Sequence, residues 1–153
     1  MTDYKLLTAQ IKSLAEDDHN FIPVLSNASA LIKSTLPDLN WAGFYLVKKD
    51  QLVLGPFQGN VACIHIAKGR GVCGTAWAED KTQLVEDVHQ FPGHIACDSA
   101  SNSEIVVPIH NKITAEIVGV LDIDSPSLSR FTEEDRTGLE ELVKGLEEVT
   151  EWE

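Results

Sequence analysis

Apolar side chains recur at helical spacing through the first third of the chain. In YKLLTAQIKSLAEDD, Leu6, Ile11 and Leu14 fall near one face, and FIPVLSNASALIKSTL continues with Val24, Leu25, Ala28, Leu31 and Ile32. Two helices are therefore predicted before Pro37. The period then shortens to two. NWAGFYLVKKDQLVLGPFQG predicts two strands turning at Lys48 to Gln51, with Trp41, Gly43, Tyr45 and Val47 on one face and Ala42, Phe44 and Leu46 on the other. ACIHIAKG predicts a third short strand, GVCGTAWAED a short helix and TQLVEDV another extended piece. HQFPGHIACDSASNS has little periodicity. EIVVPIHNKITAEIVGVLDIDSP predicts a long hairpin turning near Asn111 and Lys112, with Pro108 at an edge or irregularity because it cannot donate to a ladder. TEEDRTGLEELVKGLEEV closes the chain as a helix capped by Thr132, with acids in its first turn. Helices, antiparallel strands, then a helix predict an α+β fold, one domain over residues 1–153 with the sheet flanked by N-terminal and C-terminal helices.

Composition removes several function classes. The chain is 43% hydrophobic and 24% charged, with no low-complexity tract, which excludes disorder. Its net charge is −12, and residues 133–153 hold nine acidic and two basic residues, so a nucleic-acid partner is not expected. The first residues lack a basic-then-apolar leader, and no apolar run approaches a membrane span, so a cytoplasmic protein without a membrane partner is expected. The N-terminal helix pair beside the acidic C-terminal helix offers a face for a homodimer.

GRGVCG, residues 69–74, matches the G-x-G-x-x-G dinucleotide fingerprint, with a strand before it, a helix after it and Glu86 and Asp87 further on. The following helix is short for a crossover, and no other βαβ unit flanks it. The glycines then serve a tight turn and close packing, and no cofactor is expected.

Three cysteines, Cys63, Cys73 and Cys97, make an odd count in a chain without an export signal, which points to packing, metal or redox chemistry rather than a disulfide framework. Cys73 shares a helix face with Ala76 and Trp77 and reads as core. Cys97 sits in a long polar stretch beside His94, Asp98 and Ser99, a context for chemistry. A zinc site from Cys63, His65, His94 and Cys97 has one intervening residue in its first pair, too few for the usual structural spacing, so no metal is expected. Asp122 and Asp124 share a strand face, and Glu104 opens the partner strand. Asp124 alone could instead cap the turn at Ser125 and Pro126. Three clustered carboxylates would hold an ammonium group, and their repulsion would raise one pKa to make an acid.

Taken together, the two N-terminal helices, NWAGFYL, GRGVCGTAWAE, HIACDSASNSEIVVPI and GVLDIDSP resemble the free methionine-(R)-sulfoxide reductases, small single-domain members of the GAF fold. The resemblance covers nearly the whole chain. It implies that Cys97 is the nucleophile, Cys63 its resolving partner and Cys73 an auxiliary thiol. It further implies that Trp41 and Tyr45 wall the pocket and that Glu104, Asp122 and Asp124 hold the substrate amine and sulfoxide. Cys97 would become a sulfenic acid, condense to a disulfide and be reset by an external dithiol such as thioredoxin, with no bound cofactor. A ligand-sensing GAF module without catalysis and a redox-sensing thiol protein are the competing readings.

Overall fold

The computed structural model describes residues 1–94 and 99–153. Helices α1 (Tyr4–Leu14) and α2 (Phe21–Thr35) precede a six-stranded antiparallel sheet. Its strands are β1 (Trp41–Lys48), β2 (Gln51–Gly59), β3 (His65–Ala67), β4 (Gln83–Val85), β5 (Ser103–His110) and β6 (Ile117–Ser125). Helix α3 (Gly71–Glu79) joins β3 to β4, and α4 (Glu133–Val149) ends the fold. The spatial order is β3-β2-β1-β6-β5-β4. Among the described residues, no helix is long and apolar enough to cross a membrane.

Strand alternation divides the core as the sequence predicts. Ala42, Phe44 and Leu46 of β1 pack with α1, α2 and α4, while Trp41 and Tyr45 pack on the opposite face with Val72, Cys73, Ala76 and Trp77 of α3. Helix α1 forms where apolar spacing predicts it and Ile11 is buried, but the face is turned: Leu6 and Leu14 are exposed, and Leu7 and Ala15, each four residues from Ile11, are buried with it. The third strand is shorter than the apolar run ACIHIAKG suggests. Only His65–Ala67 pair, with Gln51 to Val53, and residues 61–64 leave the sheet as a loop. Opposite Phe44, two residues of β2, Gly55 and Pro56, form a bulge that absorbs the proline. Pro108 lies in β5, flanked by β6 and β4, yet β4 reaches only from Glu104 to Val106, so Pro108 has a ladder partner on one side alone.

Thr132 caps α4 through a capping box with Asp135. Asp135 also accepts from Tyr4 Oη at 2.5 Å and from Arg130 Nη1 at 3.3 Å, which ties α1 to the start of α4. The two helices meet at Gly138, where an added Cβ would lie 2.1 Å from the Tyr4 ring. Gly138→Ala would gain about 1 kcal/mol of helix propensity. The overlap with a ring fixed by its hydrogen bond costs more, on the order of 1–3 kcal/mol. Thermal unfolding of Gly138→Ala should therefore show a lower Tm than the parent; an unchanged or higher Tm would mean the helices separate without cost.

Candidate active site

The acid cluster follows from register. Trp41 of β1 pairs with Asp124 of β6, which pairs with Glu104 of β5, so one row across three strands carries an indole and two carboxylates. The next row on that face sets Gly43, Asp122 and Val106 side by side, and Phe57 and Pro56 of β2 close over Gly43, where an added Cβ would lie 2.3 Å from the Phe57 Cβ. Glu104, Asp122 and Asp124 are 8%, 5% and 8% exposed. All three line a cavity of ≈ 50 Å³. At the turn that follows, Ser125 Oγ accepts from the Ser127 amide.

Burial is the largest influence on Glu104 and Asp122. It pushes Glu104 well above the ordinary carboxylate range, and the neighbouring Asp122 and Asp124 push it further. Asp122 is also raised by burial, with hydrogen bonds from Glu104, Cys73 and Asp124 offsetting part of the effect. One Asp122 oxygen, Oδ1, is buried with no hydrogen-bond partner among the described residues, an acceptor ready for a ligand N–H. The arrangement supplies both a protonated carboxyl that can donate and carboxylates that can accept.

Aromatic rings close the sides. Trp41 stacks on Phe57 at 5.1 Å and on Tyr45 at 6.0 Å between centroids. Trp41 Nε1 donates to the Asn60 carbonyl at 3.1 Å and Tyr45 Oη to the Cys63 carbonyl at 2.8 Å, so the same two rings that line the cavity anchor the loop carrying Cys63. Burial, then Asp122, raises the Tyr45 hydroxyl far above its usual range, keeping it a donor.

GRGVCG forms the remaining wall. Gly69 and Gly71 take left-handed φ values of 82° and 61°, and a Cβ at Gly74 would lie 2.6 Å from the Ala67 carbonyl oxygen. These are the tight turn and close approach expected for the motif. The turn sends the start of α3, Gly71 to Cys73, to the cavity wall beside Arg70, which as N-cap makes no side-chain hydrogen bond to the helix. A helix N-terminus and a guanidinium together favour a carboxylate. Arg70 escapes the sequence reading although its signal is present: a cation inside a glycine turn that opens a helix. Ser101 also lines the cavity, as does His94, which the sequence offers as a zinc ligand.

The three cysteines differ in state. Cys73 is free and buried, its Sγ 3.9 Å from Glu104 Oε2. Burial, then Asp122, Glu104 and Asp124, push its thiol well up, so it is a neutral hydrogen-bond donor. Cys63 is half-buried and disulfide-bonded. Cys97, the sequence candidate for nucleophile, lies outside the described residues. The ligand atoms of Cys73, Glu104 and Asp122 lie within 4.8 Å of one another, near enough in distance for a metal. Burial nevertheless favours the protonated thiol and Glu104 carboxyl, and a metal needs them deprotonated.

Comparison with known proteins shows the family of the chain. The GAF domain family model matches residues 25–149. The chain is 54% identical over 146 residues to the free methionine-R-sulfoxide reductase of Escherichia coli (strain K12), covering 95% of this chain and 87% of the relative. It resembles the solved structure of fRMsr of Staphylococcus aureus in its reduced form, with a TM-score of 0.93 and 54% identity over 99% of this chain and 97% of that one. The same protein in complex with substrate gives 0.92 and 53% over the same shares.

Proposed function

The chain belongs to the GAF-domain family and, within it, to the free methionine-(R)-sulfoxide reductases, and from that membership we propose how it converts free methionine-(R)-sulfoxide to methionine. The Cys97 thiolate attacks the sulfoxide sulfur while a protonated acid of the cluster, Glu104, donates to the sulfoxide oxygen. Oxygen passes to Cys97, methionine leaves, and Cys97 becomes a sulfenic acid. Cys63 attacks that sulfur, water is expelled, and a Cys63–Cys97 disulfide remains. A thioredoxin-type dithiol returns both thiols by exchange. The disulfide-bonded state of Cys63 and the free, proton-holding state of Cys73 support giving the resolving role to Cys63 and a hydrogen-bonding role to Cys73.

The observation that carries this reading is the buried triad of carboxylates in an aromatic-walled cavity. Asp122 and Asp124 receive the substrate ammonium, the open Asp122 Oδ1 being one acceptor, and Arg70 with the start of α3 receives its carboxylate. Trp41 packs the S-methyl end and excludes water. A peptide-bound methionine sulfoxide lacks both charges and leaves both anchors unmatched. The same contacts give a direct test. N-acetylation removes the ammonium and strands buried carboxylates, so kcat/KM for N-acetylmethionine sulfoxide should fall at least about 30-fold below that for the free amino acid. The measurement is NADPH loss coupled through thioredoxin and its reductase. Equal turnover of both substrates would contradict the assignment of the acids, and no turnover of either would favour a sensing module.

A further inference from the structure

The loop at residues 60–64 carries an exposed apolar pair that its own backbone does not explain. Three carbonyls hold the loop: Asn60 accepts from Trp41 Nε1 at 3.1 Å, Cys63 from Tyr45 Oη at 2.8 Å, and Ile64 from the Leu54 amide at 2.9 Å. Ala62 turns into the cavity. Val61 and Ile64 are left 86% and 63% exposed on either side of Cys63. Two apolar side chains held outward from a pinned loop, one on each side of a disulfide-bonded cysteine, offer a small preformed apolar contact to a partner that must reach that sulfur. The local charge is as unusual. The chain carries 24 acidic residues, yet none lies between Asp50 and Glu79, where the charged side chains are Lys68 and Arg70, both exposed. The loop also adjoins β3, an edge strand of the sheet.

We propose that Val61 and Ile64, with the exposed Lys68 of the same acid-free stretch, form the docking surface for the reductant, a dithiol protein whose reactive face is apolar and acidic, and that its thiolate attacks Cys63 rather than Cys97. The proposal rests on the Cys63–Cys97 disulfide of the preceding section. Attack on Cys63 Sγ breaks that bond, Cys97 departs as a thiolate and takes up a proton, and a mixed disulfide joins Cys63 to the reductant. The reductant's second thiol gives up its proton and attacks its partner sulfur, releasing the Cys63 thiolate, which is protonated. Two electrons and two protons pass from the dithiol, and the nucleophile is restored without the reductant entering the substrate cavity. A negatively charged reductant would otherwise be repelled by a molecule of net charge −12, and the acid-free stretch gives it a place to approach.

The test compares two reductants on the whole enzyme. With Val61→Asp and Ile64→Asp combined, KM for thioredoxin should rise at least about 10-fold, while turnover driven by dithiothreitol stays at the parent value. Thioredoxin whose second reactive cysteine is serine, mixed with oxidised enzyme, should be trapped on Cys63. An unchanged thioredoxin KM, or trapping on Cys97 or Cys73, overturns the proposal. So does a change from dimer to monomer in the double variant with thioredoxin kinetics intact, which would give the surface to a second copy of the chain. Absence of turnover with dithiothreitol in the parent enzyme would instead overturn the catalytic reading on which the proposal stands.

Discussion

Glu104→Gln is expected to lower kcat/KM by about 10²- to 10⁴-fold, the usual worth of a positioned proton donor, while making the folded protein more stable at pH 8. Both effects have one cause. Burial and two carboxylate neighbours hold Glu104 well above the ordinary range, so it keeps its proton where a solvated glutamate has lost it. That proton is what the sulfoxide oxygen needs. The amide keeps the shape and an N–H donor but has no proton to release.

The stability term runs the other way. The folded-state pKa lies above the unfolded value, so between the two the native state binds more protons than the unfolded state, and stability falls as pH rises across that window. Above it the whole penalty is present. Glutamine does not ionise, so Tm of the variant should exceed that of the parent at pH 8 and lose this advantage towards pH 4. The same titration gives kcat/KM of the parent an alkaline limb that the variant lacks. Loss of activity accompanied by a lower Tm at pH 8 would mean that Glu104 is a structural residue, and an unchanged kcat/KM would remove it from the chemistry.

The second large effect separates the thiols. Cys97→Ser should reduce turnover by several orders of magnitude, since a hydroxyl lacks the nucleophilicity of a thiolate. Cys73→Ser should cost less than about 10-fold, because a serine hydroxyl still donates to the carboxylates beside it and one such bond is worth about 1 kcal/mol. Steady-state assays of the two variants decide the ranking. If Cys73→Ser is as damaging as Cys97→Ser, Cys73 is a redox thiol and its raised, buried proton is not its function.

Much of this was legible in the sequence because strand alternation is a strong signal. Trp41 and Tyr45 on one face of β1, and Asp122 and Asp124 on one face of β6, are fixed by a period of two. What single-strand periodicity does not encode is register between strands. The predicted hairpin already brings Glu104 to the partner strand of Asp122 and Asp124, but only the observed register sets Asp124 between Glu104 and the Trp41 indole. Cys63 illustrates the opposite failure. An apolar run suggested that it sits in a strand, but Gln51 to Val53 give β3 only three partners, and the residue falls in a loop. In α1 the choice of Leu6 over Leu7 failed because adjacent leucines satisfy nearly the same helical pattern, and packing against α4 decides between them. Arg70 went unread because a lone exposed cation has no periodic signature; its place at a helix start beside the cavity is what supports the role proposed for it.

The central claim, that Cys97 takes the oxygen and Cys63 resolves it, is tested most directly by a single turnover of Cys63→Ser. Reduced variant is mixed with excess free methionine-(R)-sulfoxide and no external reductant, released methionine is counted, and the sulfenic acid is captured with a 1,3-dione and located by peptide mass. One equivalent of methionine per chain with the adduct on Cys97 is the predicted result. Methionine release with the adduct on Cys73, or no methionine at all, would contradict it.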